Sequence, residues 1–235
     1  MMSLFTETWL KMPLATAEGG SGLMAFLATG GYVMLLIVLC SMATLAMIVL
    51  AALRLQAQRV LPPEVEAQLR SVPQFAAKGD IRPLQAFLQQ HDSPLARVGA
   101  LAVSGNYSSR EACNQACTTQ AQEEIHRLEQ GIPVLEMMVT VAPLLGLMGT
   151  TVALVGMFAA FGGDGQSGPD TAAVAHEIGV ALRCTIAGLF VAVPSVLAHT
   201  FFVRRLDGHA VRLASIVEQA IQDFFTHFEV QRTAD

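Results

Sequence analysis

The fold class that this sequence predicts is an all-α integral membrane protein, with three transmembrane helices and cytoplasmic helical extensions. Three observations lead there. Hydrophobic residues make up 53% of the 235 positions and charged residues only 14%, where a soluble globular domain carries about 25% charged residues. Three stretches contain no Asp, Glu, Lys or Arg: between Glu18 and Arg54, between Glu136 and Asp164, and between Arg183 and Arg204. Each exceeds or approaches the roughly 20 apolar residues that a membrane span requires. Finally, Arg and Lys gather on one side of these spans, as orientation in a bilayer demands. The net charge of −5 gives no electrostatic ground for nucleic-acid binding.

Residues 1–23 hold Glu7 and lack a basic start and a clean apolar core. They read as a lead-in that stays on the protein, not as a signal peptide. Span one is expected over 24–53. Arg54 and Arg59 follow it, Arg127 precedes span two, and Arg204, Arg205 and Arg212 follow span three. The segment 162–177 has neither Lys nor Arg. The positive-inside rule therefore places the N-terminus outside, 54–131 inside, 162–177 outside and 204–235 inside, with spans two and three over 132–161 and 178–203.

The cytoplasmic segment 54–131 is broken into short helices. Pro62-Pro63 suits a helix start, while Gly79-Asp80 and the run from His91 to Pro94 read as turns with a following cap. Ser109 is placed to cap one helix reaching Glu129, and Pro133 marks a kink as the chain nears the membrane. In the tail, Leu206, Val211, Leu213, Val217, Ala220, Ile221, Phe224 and Phe225 recur at helical spacing and predict an amphipathic helix.

No catalytic constellation is visible, so no enzyme activity is expected. Cys113 and Cys117 stand one helical turn apart, with only His126 close by in sequence. That is too few ligands for a metal centre, and no cofactor is expected. Cys40 and Cys184 lie in apolar runs and read as small hydrophobes.

The informative stretches are in spans two and three. Gly146, Gly149, Ala153 and Gly156, then Ala181, Ala187, Gly188 and Ala192, are small residues. They allow helix backbones to approach where lipid supplies no hydrophobic drive. Pro143 and Pro194 interrupt the hydrogen-bond ladders, which membrane helices tolerate where neighbours compensate. Thr150, Thr151 and Thr185 are the polar members. A membrane threonine often bonds only to its own helix, so these features alone predict a packed, oligomerising three-span protein.

The order Ala142, Pro143, Gly146, Leu147, Gly149, Thr150, followed by Ala181, Leu182, Thr185, Gly188, Leu189, Ala192, Pro194, resembles the ExbB/TolQ/MotA family of proton-driven motor subunits, ExbB most of all. The resemblance covers residues 131–205. It implies an inner-membrane homopentamer enclosing the single-span helices of an ExbD/TolR-type dimer, whose membrane aspartate binds the proton. It further implies coupling to a TonB-type transducer for transport across the outer membrane, or to a TolA-type one if the chain is TolQ-like. A non-conducting scaffold is the rival reading.

By that resemblance Thr150 and Thr185 line the proton pathway. Pro143, Gly146, Gly149, Ala153, Gly188, Ala192 and Pro194 pack around the partner, and protons are the transported ion, with bound membrane lipids alongside. Three departures stand out. Relatives often carry glutamate where Val180 stands, and the acidic residue here is Glu177. Arg183 replaces an apolar residue, and Glu136 fills a usually uncharged position. As ionisable residues in membrane segments, Glu136, Glu177 and Arg183 are read as modulators. Arg183 is expected to snorkel outward or to pair with Glu177. Spans one and two have no titratable group near their centres, so the chain is not expected to carry protons unaided.

Overall fold

The computed structural model describes residues 31–77, 81–107, 109–161 and 171–232. Among these it contains helices and no strand: α1 (Gly31–Arg54), α2 (Ala57–Val60), α3 (Pro63–Arg70), α4 (Val72–Ala77), α5 (Arg82–Gln90), α6 (Pro94–Ala102), α7 (Arg110–Glu129), α8 (Ile132–Phe161) and α9 (Thr171–Arg232). Helices α1, α8 and α9 are each long and apolar enough to cross a membrane, so the protein is an all-α, multi-pass membrane protein. The lead-in, Gly79-Asp80 and residues 162–170 lie outside the described residues.

Local chemistry sets the helix ends. Ser93 Oγ accepts from the Ala96 N–H, and Ser109 Oγ accepts from the Ala112 N–H, satisfying amides that the first turn leaves unpaired. Helix α3 starts on Pro63, where a missing N–H costs nothing. The sequence expectation of a kink at Pro133 is corrected in detail. The chain breaks two residues earlier, at Gly131, whose φ of 104° only glycine adopts freely. Pro133 then sits in the first turn of α8, which is compatible with its ring. A second revision concerns the tail, which continues span three without interruption as the single 62-residue helix α9. Among the apolar residues expected on its inner face Val211 is the exception, 71% exposed.

Contacts divide the chain into two compact units. Unit 1 holds the first part of α1, α8 from Glu136, and α9 as far as Val196. Val33 and Ile37 of α1 pack there with Ala142 of α8 and with Val191 and Ala192 of α9. Its outer surface is apolar: Leu39, Met42, Leu147, Phe158, Leu182 and Phe190 are all more than half exposed. Such a surface is at home in lipid and not in water.

Unit 2 holds the end of α1, α2–α7, the start of α8 and the rest of α9. Its core joins Val60, Val65, Leu84, Leu88, Leu95, Cys113, Leu213 and Ile221 among others. A smaller cluster of Ala51, Leu55, Ile132, Leu135, Phe202 and Leu206 gathers the three long helices. At the α1 terminus the Leu55 carbonyl accepts from Arg205 Nε at 3.0 Å and lies 3.2 Å from His209 Nε2. Cationic and N–H groups at a helix C-terminus satisfy its unpaired carbonyls and suit its dipole.

Two ion-pair groups tie unit 2 together. The Glu124 carboxylate, 1% exposed, receives Arg97 Nε at 2.8 Å and Nη2 at 2.5 Å. Arg97 also pairs with Asp92, and Arg127 approaches Glu124 at 3.6 Å. Glu66 bridges Arg70 and Arg212, each at 2.8 Å. Cys113 and Cys117 are buried, and their thiols point to the Ala102 and Val98 carbonyls. Burial, followed by the neighbouring Cys113, pushes the Cys117 thiol up to about 12, so these are inert packing residues. Among the described residues, no group of three or more His, Cys, Asp or Glu is placed to hold a metal ion.

Candidate functional site: the seam and groove of the membrane unit

The site is built on a close approach of α8 to α9. A Cβ added at Gly146 would stand 3.0 Å from the Cys184 carbonyl oxygen and 3.2 Å from the Thr185 Cα. At Gly188 it would stand 2.6 Å from the Ala142 carbonyl oxygen. At Gly149 it would run into the Cys184 side chain. Glycine is needed at Gly146 and Gly188 because backbone meets backbone, the arrangement that membrane helices use in place of hydrophobic drive, and at Gly149 because the Cys184 side chain fills the space. Ala153 and Ala192 are buried in unit 1 as well, 3% and 6% exposed. The small residues picked out from the sequence thus join the chain's own two helices. Pro143 is half-buried and Pro194 faces outward, and α8 and α9 run on through both.

Beside this seam lies an open groove of about 170 Å³, lined by Thr150, Ala153, Leu154 and Met157 of α8 and by Glu177, Ile178, Ala181 and Leu182 of α9. It is apolar except for one hydroxyl and one carboxylate. Thr150 is half-buried and donates to the Leu147 carbonyl at 2.7 Å. Thr185 stands one turn beyond Ala181 and donates to its carbonyl at 3.3 Å. Thr151 is exposed and bonds to Met148 O at 2.8 Å. These hydroxyls are therefore occupied by their own helices.

Glu177 lies flat on Gly156: a Cβ at that glycine would be 2.9 Å from the carboxylate Oε2. Glu177 forms no ion pair with Arg183 among the described residues. The pairing expected from the sequence fails for a geometric reason. Six residues of helix turn about 600°, leaving the two side chains about 120° apart. Arg183 is exposed, as is Glu136.

From Glu136 to Gly156 is a rise of about 30 Å along α8, the thickness of a hydrocarbon core. Glu136 and the Glu177 carboxylate thus bracket a layer in which Arg183 is the one Asp, Glu, Lys or Arg among the described residues of unit 1.

Sequence reasoning missed the Glu177–Gly156 contact, which follows from spacing only once Gly149 is known to meet Cys184. Gly156 falls seven residues after Gly149, and Glu177 seven before Cys184. Both pairs therefore share the stripe on which Gly149 meets Cys184. Comparison with known proteins adds a separate line. A profile of the MotA/TolQ/ExbB proton channel family matches residues 84–215. The chain is 31% identical over 187 residues to the biopolymer transport protein ExbB of Neisseria meningitidis serogroup A, an alignment covering 73% of this chain and 81% of that one. It is 31% identical over 118 residues to the protein of the same name from Xanthomonas campestris, covering 50% of this chain and 46% of the relative. It is 28% identical over 149 residues to a putative ExbB homolog of Methanothermobacter thermautotrophicus, covering 63% and 51%.

Proposed function

The chain belongs to the MotA/TolQ/ExbB proton channel family, and from that premise we propose that it is an ExbB-like subunit of a proton-driven motor. In this reading it sits in a bacterial inner membrane, N-terminus outside and C-terminus inside. A homopentamer surrounds the helices of an ExbD/TolR-type dimer and energises a TonB-type transducer for transport across the outer membrane. The observation that carries it is the distribution of charge in unit 1. The carboxylates stand at the two edges of a layer about 30 Å thick whose one Asp, Glu, Lys or Arg among the described residues is Arg183, a guanidinium that stays charged, and the seam between α8 and α9 is closely packed. A proton crossing that layer needs a titratable group at depth, and this chain does not supply one among its described residues. The partner's membrane aspartate meets that need.

The groove beside Thr150 and Glu177 is the face on which the partner helix bears. Neutralising the partner carboxylate lets its helix shift against this wall, and deprotonation on the other side resets it. One charge moved through 100 mV makes about 2.3 kcal/mol available, comparable with several helix–helix hydrogen bonds in a membrane at about 0.6 kcal/mol each.

The scaffold reading keeps a specific observation in its favour: the hydroxyls of Thr150 and Thr185 are bonded to their own helices. The test is co-purification in mild detergent with a single-span partner carrying a membrane aspartate, with the intact mass read by native mass spectrometry. Proton flux into vesicles holding the complex is measured alongside. A five-to-two complex whose flux vanishes on aspartate-to-asparagine substitution in the partner is the expected result. An oligomer that never captures the partner, or flux indifferent to that substitution, overturns the proposal in favour of the scaffold.

A further inference from the structure

Arg183 is a guanidinium inside a membrane-spanning segment, and it stays charged there. It is exposed and enters none of the ion pairs among the described residues. A charge within the hydrocarbon layer requires a partner. The two carboxylates among the described residues of unit 1 do not meet it. Glu136 belongs to the opposite edge of the layer, and Glu177 stands about 120° away around α9, against Gly156.

Its place on α9 narrows the choice. At about 100° per residue, Arg183, Ile186 and Phe190 lie about 140–160° around the helix from Gly188, the residue that meets α8. Ile186 is 62% exposed and Phe190 53%, so this apolar face is turned away from the seam and suits acyl chains. The cation stands at the end of that face nearer Glu177. From Glu177 to Arg183 the rise is about 9 Å, a depth from which a long stem carries its charge back to the headgroup region. Helical side chains lean toward the N-terminus, which in α9 is the direction of that surface.

Two further residues complete the arrangement. His176 lies seven residues before Arg183, so the two share one stripe, about 20° apart and two turns from each other. It is exposed, and an imidazole presents an N–H donor in either charge state. Between them sits Gly179, where nothing stands within 4 Å of an added Cβ. A forked cationic donor, a second donor and open space between them match a phosphate ester, and the face beyond matches the chains attached to it.

We infer that Arg183, with His176 and the space at Gly179, binds the phosphate of one phospholipid whose acyl chains lie along Ile186 and Phe190, in the leaflet on the Glu177 side. The inference needs only that the three long helices span a membrane, so it stands or falls apart from the motor reading. The test uses the full-length chain, purified in mild detergent and titrated with dioleoyl phosphatidylglycerol. Bound lipid is counted by native mass spectrometry, and the Tm is read alongside. Arg183→Leu should bind the lipid about tenfold more weakly, the loss of a charge-assisted hydrogen bond. Arg183→Lys should keep part of the affinity, because a point charge remains without the fork. Gly179→Leu, which keeps both donors and fills the space, should weaken binding as well, and it decides the matter if Arg183→Leu does not fold. Dioleoylglycerol and inorganic phosphate should each leave the Tm unchanged. Undiminished lipid binding by Arg183→Leu, or by Gly179→Leu where that variant decides, overturns the site. Inorganic phosphate that stabilises the chain as much as the phospholipid does overturns it in favour of a free anion. An Arg183→Leu chain that keeps its lipid but loses oligomer mass assigns the guanidinium to a neighbouring copy instead.

Discussion

Gly188 of α9 lies against the carbonyl oxygen of Ala142 in α8, so close that a methyl group on Gly188 would stand 2.6 Å from that oxygen. Both groups belong to backbone, so neither can rotate away, and Gly188→Ala must push the helices apart. Overpacking of this kind costs about 1–3 kcal/mol. Thermal unfolding in detergent should show a lowered Tm for Gly188→Ala. Gly179→Ala should show none, since nothing stands within 4 Å of a Cβ there and alanine favours the helix by about 1 kcal/mol. Equal losses at the two positions would mean that the seam is not what glycine protects.

Gly156 presents the opposite case. The group in the way of a Cβ is the end of the flexible Glu177 side chain, which can move. Gly156→Ala should therefore leave the thermal stability of the purified chain near that of the original, while displacing the carboxylate from the groove wall. In vesicles with the partner, its flux should change in the same direction as that of Glu177→Gln. If Gly156→Ala retains full flux where Glu177→Gln loses it, the seat on Gly156 is incidental and the carboxylate acts from elsewhere.

These two positions also show how much could be read before the structure. The small residues at Gly146, Gly149 and Gly188 were legible as a packing surface because spacing on a helix is set by its 3.6-residue turn. Which surface they meet was not legible, because that depends on how α8 and α9 align, and a sequence carries no register for two antiparallel helices. Ser109 was legible as a cap, and the run from His91 to Pro94 as a turn with a cap, for a local reason: the bond spans three residues. The break before α8 was misplaced to Pro133 because proline is the stronger general breaker. In the first turn its missing N–H is harmless, and Gly131 takes the left-handed conformation instead. The continuity of α9 through Arg204 was hidden by the change from apolar to amphipathic pattern, which marks a change of solvent and not a helix end.

The Arg97–Glu124 pair gives a prediction outside the membrane. Burial raises the Glu124 carboxyl, but the hydrogen bonds and charge of Arg97, with Arg127 and Gln120, outweigh it and hold the pKa below its ordinary value of 4.5. Folding thus depresses this pKa. The pair's contribution is present above the unfolded value and is lost as pH falls through the folded one. Arg97→Ala leaves a buried carboxylate short of its main partner, at a cost of about 3–5 kcal/mol near neutral pH. That deficit should shrink when unfolding is measured well below pH 4.5, because the carboxyl is then neutral in both states. The double change Arg97→Leu with Glu124→Leu should recover most of the loss at neutral pH. A deficit that does not vary with pH would show that Arg97 acts through packing of its stem and not through charge.

Thr44 of α1 is 4% exposed, and its hydroxyl has no hydrogen-bond partner among the described residues. The other membrane hydroxyls contrast with it, as Thr150, Thr151, Thr185 and Ser195 each donate to a carbonyl of their own helix. A buried hydroxyl without a partner costs about 1–3 kcal/mol, whereas an apolar group of the same shape removes that cost. Valine is such a group. In the isolated chain Thr44→Val should raise the Tm, and Ser195→Ala, which gives up a bond made at 2.8 Å, should lower it. The informative contrast comes from repeating the measurement in the assembled complex. If Thr44→Val stabilises there too, the hydroxyl has no role in assembly. If it instead weakens the complex while stabilising the single chain, assembly repacks α1 and gives the Thr44 hydroxyl a partner that it lacks in the single chain.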